Sequence, residues 1–269
     1  MSDAARDAAI TLMKTGRYQA ALESFNTLIA EEPRDWSLFY MAGQCARFSN
    51  DIQSATAYLL RATELDHSHP QVFLALGIAQ QLQGQLFESQ EAFRKALELD
   101  SDMDSAYNSL AITQKKLGKL DLALHNQEEG LKALSRSIAR RMWNIEEKKI
   151  FPHPNVRGTR WARYAVNAAT YLCAIEPDIS KLAWPTGDQA MAETQSQAHR
   201  GLYWRDTIDT EGAKTRLFLP NFFNTFFSIL RSEAAYATML GNLGSVLEMQ
   251  GNQDEAELCY EEANEFLAR

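Results

Sequence analysis

The chain is poor in the residues and motifs that mark several broad classes of protein. It has three cysteines, Cys45, Cys173 and Cys259, an odd number with no C-x-x-C pair. That argues against both a disulfide framework and a zinc site. No stretch of about 18 apolar residues occurs, so no membrane span is expected. The start, MSDAARDAAI, places acids where a secretory leader needs lysines, and a cytoplasmic protein is expected. The nucleophile elbow G-x-S-x-G, the P-loop, G-x-G-x-x-G and H-E-x-x-H are all missing. No catalytic residue, metal or cofactor is therefore expected. His67 and His69 flank Ser68 beside Asp66, but two histidines in a polar loop lack the further ligand a metal needs.

What the chain does have is a helical rhythm. Between Pro70 and Asp100, Phe73, Leu76, Gly77 and Gln80 precede Gly84, and Leu86, Ser89, Phe93, Ala96 and Leu99 follow it. Spacings of three and four residues are the helical period, so two short amphipathic helices with a turn at Gly84 are expected. The pattern recurs at steps of 34 residues. One step back falls on Phe39, Gly43, Asn50, Ala55, Leu59 and Ala62. Two steps back falls on Ala5, Ala9, Gly16, Ala21, Phe25 and Leu28. One step forward falls on Tyr107, Ala111, Gly118, Ala123, Gln127 and Gly130. A further copy begins at Ala237, with Leu240, Gly244, Gly251, Ala256, Tyr260 and Ala263 in the same slots.

This alternation of large and small apolar positions in a 34-residue frame resembles the tetratricopeptide repeat (TPR) family. The resemblance covers residues 2–135, as four units, and 237–269, as a fifth. It implies an all-α fold: a right-handed TPR superhelix, or solenoid, with a helical insert before the last repeat. Ser2 and Asp3 suit the start of the first helix, expected to run to about Lys14. Pro33 and Pro70 are expected to stop helices. The polar residues Asp254, Glu257, Glu261 and Glu262 are expected on the outer face of the last unit, which a solenoid end needs.

By the family pattern, the first helix of each repeat lines a concave groove. The groove residues so implied are Arg6, Ile10 and Lys14; Ser37, Tyr40, Gln44 and Arg47; Gln71, Leu74, Ile78 and Gln81; and Ser105, Asn108, Ile112, Lys115 and Lys116. Such a mixture suits an extended peptide or a helix. The clamp by which some family members grip a chaperone's C-terminal carboxylate maps onto Arg6, Ile10, Met41, Gln71 and Ala75. Only Arg6 has the required charge, so that ligand is not expected.

The stretch 136–236 interrupts the repeats. Residues 1–134 carry 12 basic and 18 acidic side chains, residues 135–236 carry 14 and 10, and residues 237–269 carry one and seven, giving −8 in all. The insert is thus the net basic part of an acidic chain. It holds Trp143, Trp161, Trp184 and Trp204 and five of the seven prolines, too aromatic a composition for disorder. Helices are expected at about 135–149, continuing or stacking on repeat four, at 160–175 and at 188–199. A polar loop should run through Gly212. A last helix from about Pro220, carrying Phe222, Phe223, Phe226, Phe227, Ile229 and Leu230, should pack as a half-repeat before the fifth unit.

Arg136, Arg140, Arg141, Arg160 and Arg163 form a patch for an anionic partner, with Trp143 and Trp161 among them. Arginine with interleaved aromatics can hold phosphates and stack bases. Nucleic acid is nonetheless disfavoured, because the chain has a pI near 5.2 and repels a polyanion at distance. Pairing with the acidic repeats, or with an acidic protein, fits the patch better.

The function expected is a non-catalytic scaffold or adaptor that holds a peptide or protein segment in the groove, regulated by the insert. The alternatives are a self-assembling structural protein that forms homo-oligomers, and phosphate or nucleic-acid binding through the insert.

Overall fold

The computed structural model describes residues 2–143, 206–208, 214–216, 226, 229–230 and 233–267. The chain divides into two compact units, Met1–Asn126 and Gln127–Arg269.

The first unit is a row of helices: α1 (Ser2–Lys14), α2 (Tyr18–Glu31), α3 (Trp36–Phe48), α4 (Ile52–Leu65), α5 (Pro70–Leu82), α6 (Leu86–Leu99), α7 (Asp104–Lys116) and the start of α8 (Leu120–Trp143). From α1 to α7 each packs on the next, and α3 also touches α5, as α5 touches α7. First helices therefore lie side by side.

The turns inside the repeats share one chemistry. Gly16, Gly84 and Gly118 have φ of 77°, 78° and 72°, and Asn50, at the equivalent position, has φ of 64°. A left-handed residue there lets the following amide reach back five residues. Arg17, Asp51, Gln85 and Lys119 donate to the carbonyls of Leu12, Ala46, Gln80 and Gln114, each at 2.9 Å. This closure satisfies carbonyls that the helix end would leave open. Asp35 and Asp51 close the opposite ends of α3 and α4, accepting from the backbone of Ser37 and Ser54.

Interiors alternate small against large. Ala9, Ala21 and Phe25 are fully buried in the first repeat, as are Ala55 and Leu59 in the second, and Phe93 and Ala96 in the third. Cys45 and Cys259 are buried where the repeats place small apolar residues. Burial pushes the Cys45 thiol up to about 11, so it stays protonated.

The second unit contains the rest of α8, a strand pair β1 (Asp206–Ile208) and β2 (Lys214–Arg216), α9 (Ala234–Met249) and α10 (Gln253–Leu267). The turn between α9 and α10 repeats the closure described above, with Gly251 at φ 86° and Asn252 donating to Leu247 at 2.9 Å. The side-chain amide of Gln127 donates to the Met239 carbonyl at 3.0 Å. Phe226 and Leu230 are helical and buried, Ile229 helical and half-buried; the rest of the helix expected from Pro220 falls largely outside the described residues.

The helix expected over 135–149 takes the first of its two expected placements and continues repeat four: as far as described, it is the far end of α8, a single 24-residue helix. Nothing breaks it at Ser135, because Leu131, Ala133, Leu134 and Ile138 continue its buried face. Three expectations change. The expected polar loop through Gly212 holds an antiparallel pair, with Asp206 opposite Arg216 and Ile208 opposite Lys214. β-Branched Thr207, Ile208 and Thr215 favour that state. Pro70 begins α5 rather than stopping a helix, since its missing N–H costs nothing in the first turn. Glu262 is buried, while Asp254, Glu257 and Glu261 are exposed as expected. The helices expected at 160–175 and 188–199, with Arg160 and Arg163, lie outside the described residues.

Candidate functional site

The face presented by α1, α3, α5 and α7 in the first unit carries the groove residues inferred from the repeat frame. On α3 they form one connected ladder. The Gln44 amide donates to the Tyr40 hydroxyl at 3.1 Å. The Gln44 carbonyl oxygen accepts from Arg47 Nε at 3.1 Å and Nη2 at 2.9 Å. The guanidinium lies 4.1 Å from the centre of the Phe48 ring, and Phe48 stacks on Tyr18 at 4.8 Å. At the other end of α3, Trp36 stacks on His69 with centroids 3.6 Å apart and sits 6.4 Å from Tyr40. His69 is held in turn by Asp66, 3.2 Å from its Nε2. Residues four and three apart share a helix face, which is how Tyr40, Gln44 and Arg47 come together.

Arg47 differs from the exposed cations Lys14 and Lys116 in being half-buried. Among the described residues it makes no ion pair. Burial pushes its guanidinium below its ordinary value, opposed by Tyr40 and Tyr18. It nevertheless remains a cation at neutral pH.

α5 and α7 continue the face. Gln71 is exposed, while Leu74, Ile78, Asn108, Ile112 and Lys115 are half-buried. Gln81 reaches across to α7, donating to the Thr113 hydroxyl at 2.7 Å and the Ser109 carbonyl at 3.4 Å. On α1, Lys14 is exposed and Ile10 half-buried. Arg136, Arg140 and Arg141 lie on α8 in the second unit.

Arg6 is committed within the chain. Its Nη2 donates to Glu32 at 3.1 Å and also to Asp35. Asp35 ties this pair to the cap of α3, accepting from the Ser37 amide at 2.9 Å and hydroxyl at 2.7 Å. Burial alone would raise the Asp35 carboxyl, but the hydrogen bonds from Ser37 and Arg6 outweigh it and hold the group below the usual carboxylate range. The stability this contributes is fully present above the unfolded value, near 3.9. It is lost as pH falls through the depressed folded value. Asp35→Asn keeps a capping side chain and removes the charge. It is expected to cost about 1 kcal/mol at pH 7, given the partial exposure of the pair, and less at pH 2. Urea midpoints at the two pH values check this; an equal loss at both would remove the ion pair from the account.

The frame identified Tyr40, Gln44 and Arg47 but not their neighbours Tyr18, Phe48, Trp36 and His69. Tyr18 belongs to a second helix and His69 to a loop. Only Phe48, one position beyond Arg47, carried a signal: it shares the slot of Lys14 and Lys116, which the frame assigns to the groove.

Residues 6–70 and 237–266 match family models described as tetratricopeptide repeat. The chain is a tetratricopeptide repeat protein. Its fold agrees with a solved structure, the "Crystal structure of MamA", at a TM-score of 0.54 and 12% identity, over 97% of this chain and 94% of that one. At that identity the likeness concerns the fold alone. Among curated proteins the chain is 25% identical over 117 residues to "BBSome complex member BBS4" of Bos taurus, and 26% identical over 111 residues to the same protein of Mus musculus. Those matches span 44% and 41% of this chain but only 22% and 21% of the relatives, so this chain matches about a fifth of their length. Among the described residues no helix is long and apolar enough to cross a membrane, and no group of His, Cys, Asp and Glu could hold a metal ion.

Proposed function

We propose that this protein is a non-catalytic scaffold or adaptor whose first four helix pairs hold a segment of another protein against the α1–α3–α5–α7 face. The observation that carries the reading is the α3 ladder. An aromatic, an amide and a guanidinium that makes no ion pair among the described residues are fixed on a face that has no further helix of the first unit over it. TPR proteins as a class mediate protein–protein interaction, and the name of the BBS4 relatives places them in a complex. Tyr40, Leu74, Ile78 and Ile112 offer apolar contact, and Gln71 and Asn108 offer amides for a peptide backbone. Buried, free Cys45 fits a reducing compartment, and we assign the protein to the cytoplasm.

The test places a photo-crosslinking amino acid at Leu74, at Ile78 and, as control, at exposed Glu91 on α6. The full chain is expressed in its own cells and irradiated. Adducts from Leu74 and Ile78 but not from Glu91 are expected. Adducts from Glu91 alone, or from neither face while a probe at Trp161 reacts, would move the binding surface away from the groove. Deleting 150–215 in the same assay asks whether the insert occupies the face. Stronger crosslinking after deletion supports autoinhibition, and an unchanged yield removes it.

A further inference from the structure

The charge of the inner face runs against that of the unit that carries it. Residues 1–134 are acidic, with 12 basic and 18 acidic side chains. Yet the groove positions of α1, α3 and α7 hold Arg6, Lys14, Arg47, Lys115 and Lys116 against one acid, Asp3. Of these, Arg6 is neutralised by Glu32 and Asp35. Lys14, Arg47, Lys115 and Lys116 all stand in the last turns of their helices. Helix ends tolerate cations there, but the same edge is apolar between them. Lys14, Phe48, Leu82 and Lys116 occupy one position in four successive repeats. Lys14 and Lys116 are exposed, and Phe48 and Leu82 are 52% and 58% exposed. The edge thus reads cation, apolar, apolar, cation, with Arg47 beside the first apolar residue. Large apolar side chains this exposed on adjacent helices are what an interaction surface presents.

Arg47 is built to take a carboxylate. Of its five N–H donors, Gln44 engages two, one on Nε and one on Nη2. The two on Nη1 and the second on Nη2 remain, which is the forked edge that accepts a carboxylate through two parallel bonds. Gln44, itself donating to Tyr40, and the Phe48 ring under the guanidinium fix its orientation before any ligand arrives. Bracing of that kind lowers the entropic cost of binding.

We propose that this edge binds an extended acidic segment of a partner protein, with carboxylates at both ends and one facing Arg47, and apolar side chains between them against Phe48 and Leu82. The proposal rests on the reading of the inner face as the binding surface. Its length follows from packing. Neighbouring helices lie roughly 8–10 Å apart, so the three steps from Lys14 to Lys116 span roughly 24–30 Å. At 3.3–3.6 Å per residue that is about eight residues of extended chain.

The experiment uses the full chain and fluorescein-labelled peptides in a polarisation titration: DELAFLDE, its uncharged counterpart NQLAFLNQ, and the basic KKLAFLKK. DELAFLDE is expected to bind at least about ten-fold more tightly than NQLAFLNQ, the range of charge-assisted hydrogen bonds, and KKLAFLKK not at all. Arg47→Gln is expected to weaken DELAFLDE about ten-fold. Arg47→Lys, which keeps the charge and loses the fork, should fall between, and Phe48→Ser should weaken it several-fold. Unchanged helical circular dichroism and melting of each variant exclude unfolding as the cause. Equal binding of DELAFLDE and NQLAFLNQ, or insensitivity to Arg47→Gln, would overturn the proposal. If Leu74 and Ile78 crosslink a partner while DELAFLDE fails, the acidic chemistry is wrong and the scaffold reading survives. If the inner-face crosslinks also fail, the scaffold reading falls with it.

Discussion

Replacing Phe93 by Ala is expected to destabilise the first unit by about 3–5 kcal/mol, the usual range for deleting a buried aromatic ring. Phe93 is fully buried on α6. The neighbouring Gly77 on α5 sets up a sharper test. A Cβ built at Gly77 would lie 2.5 Å from Phe93 Cε1 and 2.7 Å from Cδ1, so the glycine is there to admit the ring. Gly77→Ala in the natural chain sets an overlap worth about 1–3 kcal/mol against a helix-propensity gain of about 1 kcal/mol. The net effect is a loss. In the Phe93→Ala background there is no ring to meet, and the methyl enters the vacated space. The same Gly77→Ala change should then stabilise, by up to about 1 kcal/mol. A double-mutant cycle by urea denaturation reads the sign directly. Additive effects, with Gly77→Ala harmful in both backgrounds, would show that some other neighbour requires the glycine. The same small-against-large pair recurs one repeat earlier, where a Cβ at Gly43 would lie 2.7 Å from Leu59 Cγ.

This pairing explains why the repeats could be read from the residues alone. The glycine-for-ring exchange is steric and local, so it must recur wherever two helices cross in the same way. The turn at the middle of each repeat is equally local: a left-handed residue is cheapest as glycine and next as asparagine, and Asn50 fills the glycine slot with a φ of 64°. The first helix was legible to its last residue, Ser2–Lys14, since its apolar period and its closing glycine agree. What the frame could not supply was partnership between side chains. Arg6 occupies a groove position, but its partners Glu32 and Asp35 lie at the end of the repeat, 26 and 29 residues away. No periodicity marks which carboxylates will bend toward it. Within the candidate site, Tyr40, Gln44 and Arg47 followed from the register, because residues on one face of one helix must meet. Tyr18 and His69 did not, because their approach to Phe48 and Trp36 depends on how the next chain segment packs. The β1–β2 pair was hidden for another reason: two three-residue strands contain too few residues for alternation to be seen.

Glu262 is the place where the repeat frame misleads, and it carries the second large expected effect. In the first three repeats its position is filled by Thr27, Arg61 and Lys95, all exposed, and in the fourth by half-buried Glu129. In the last repeat the equivalent carboxyl is buried, and the Tyr236 hydroxyl donates to it at 2.6 Å. Tyr236 is 1% exposed, and its ring meets Phe266 edge-on at 4.9 Å. The residue thus joins the start of α9 to α10 both by area and by a charge-assisted bond. Tyr236→Ala removes both and is expected to cost about 3–5 kcal/mol. Tyr236→Phe keeps the ring and removes only the hydroxyl, at about 1–2 kcal/mol. Glu262→Gln keeps an acceptor for the hydroxyl and should cost less than Tyr236→Phe. Amide hydrogen exchange in α9 and α10 separates these effects from events in the first unit, because opening of a cooperative segment accelerates about ten-fold for each 1.4 kcal/mol lost. An unchanged exchange rate in Tyr236→Phe would mean that the ring alone holds the helix pair, and that the buried carboxylate could be replaced by an apolar residue without loss. Faster exchange confined to α9 and α10 would show that the hydrogen bond from Tyr236 to the buried Glu262 adds to the apolar contacts that hold this helix pair together.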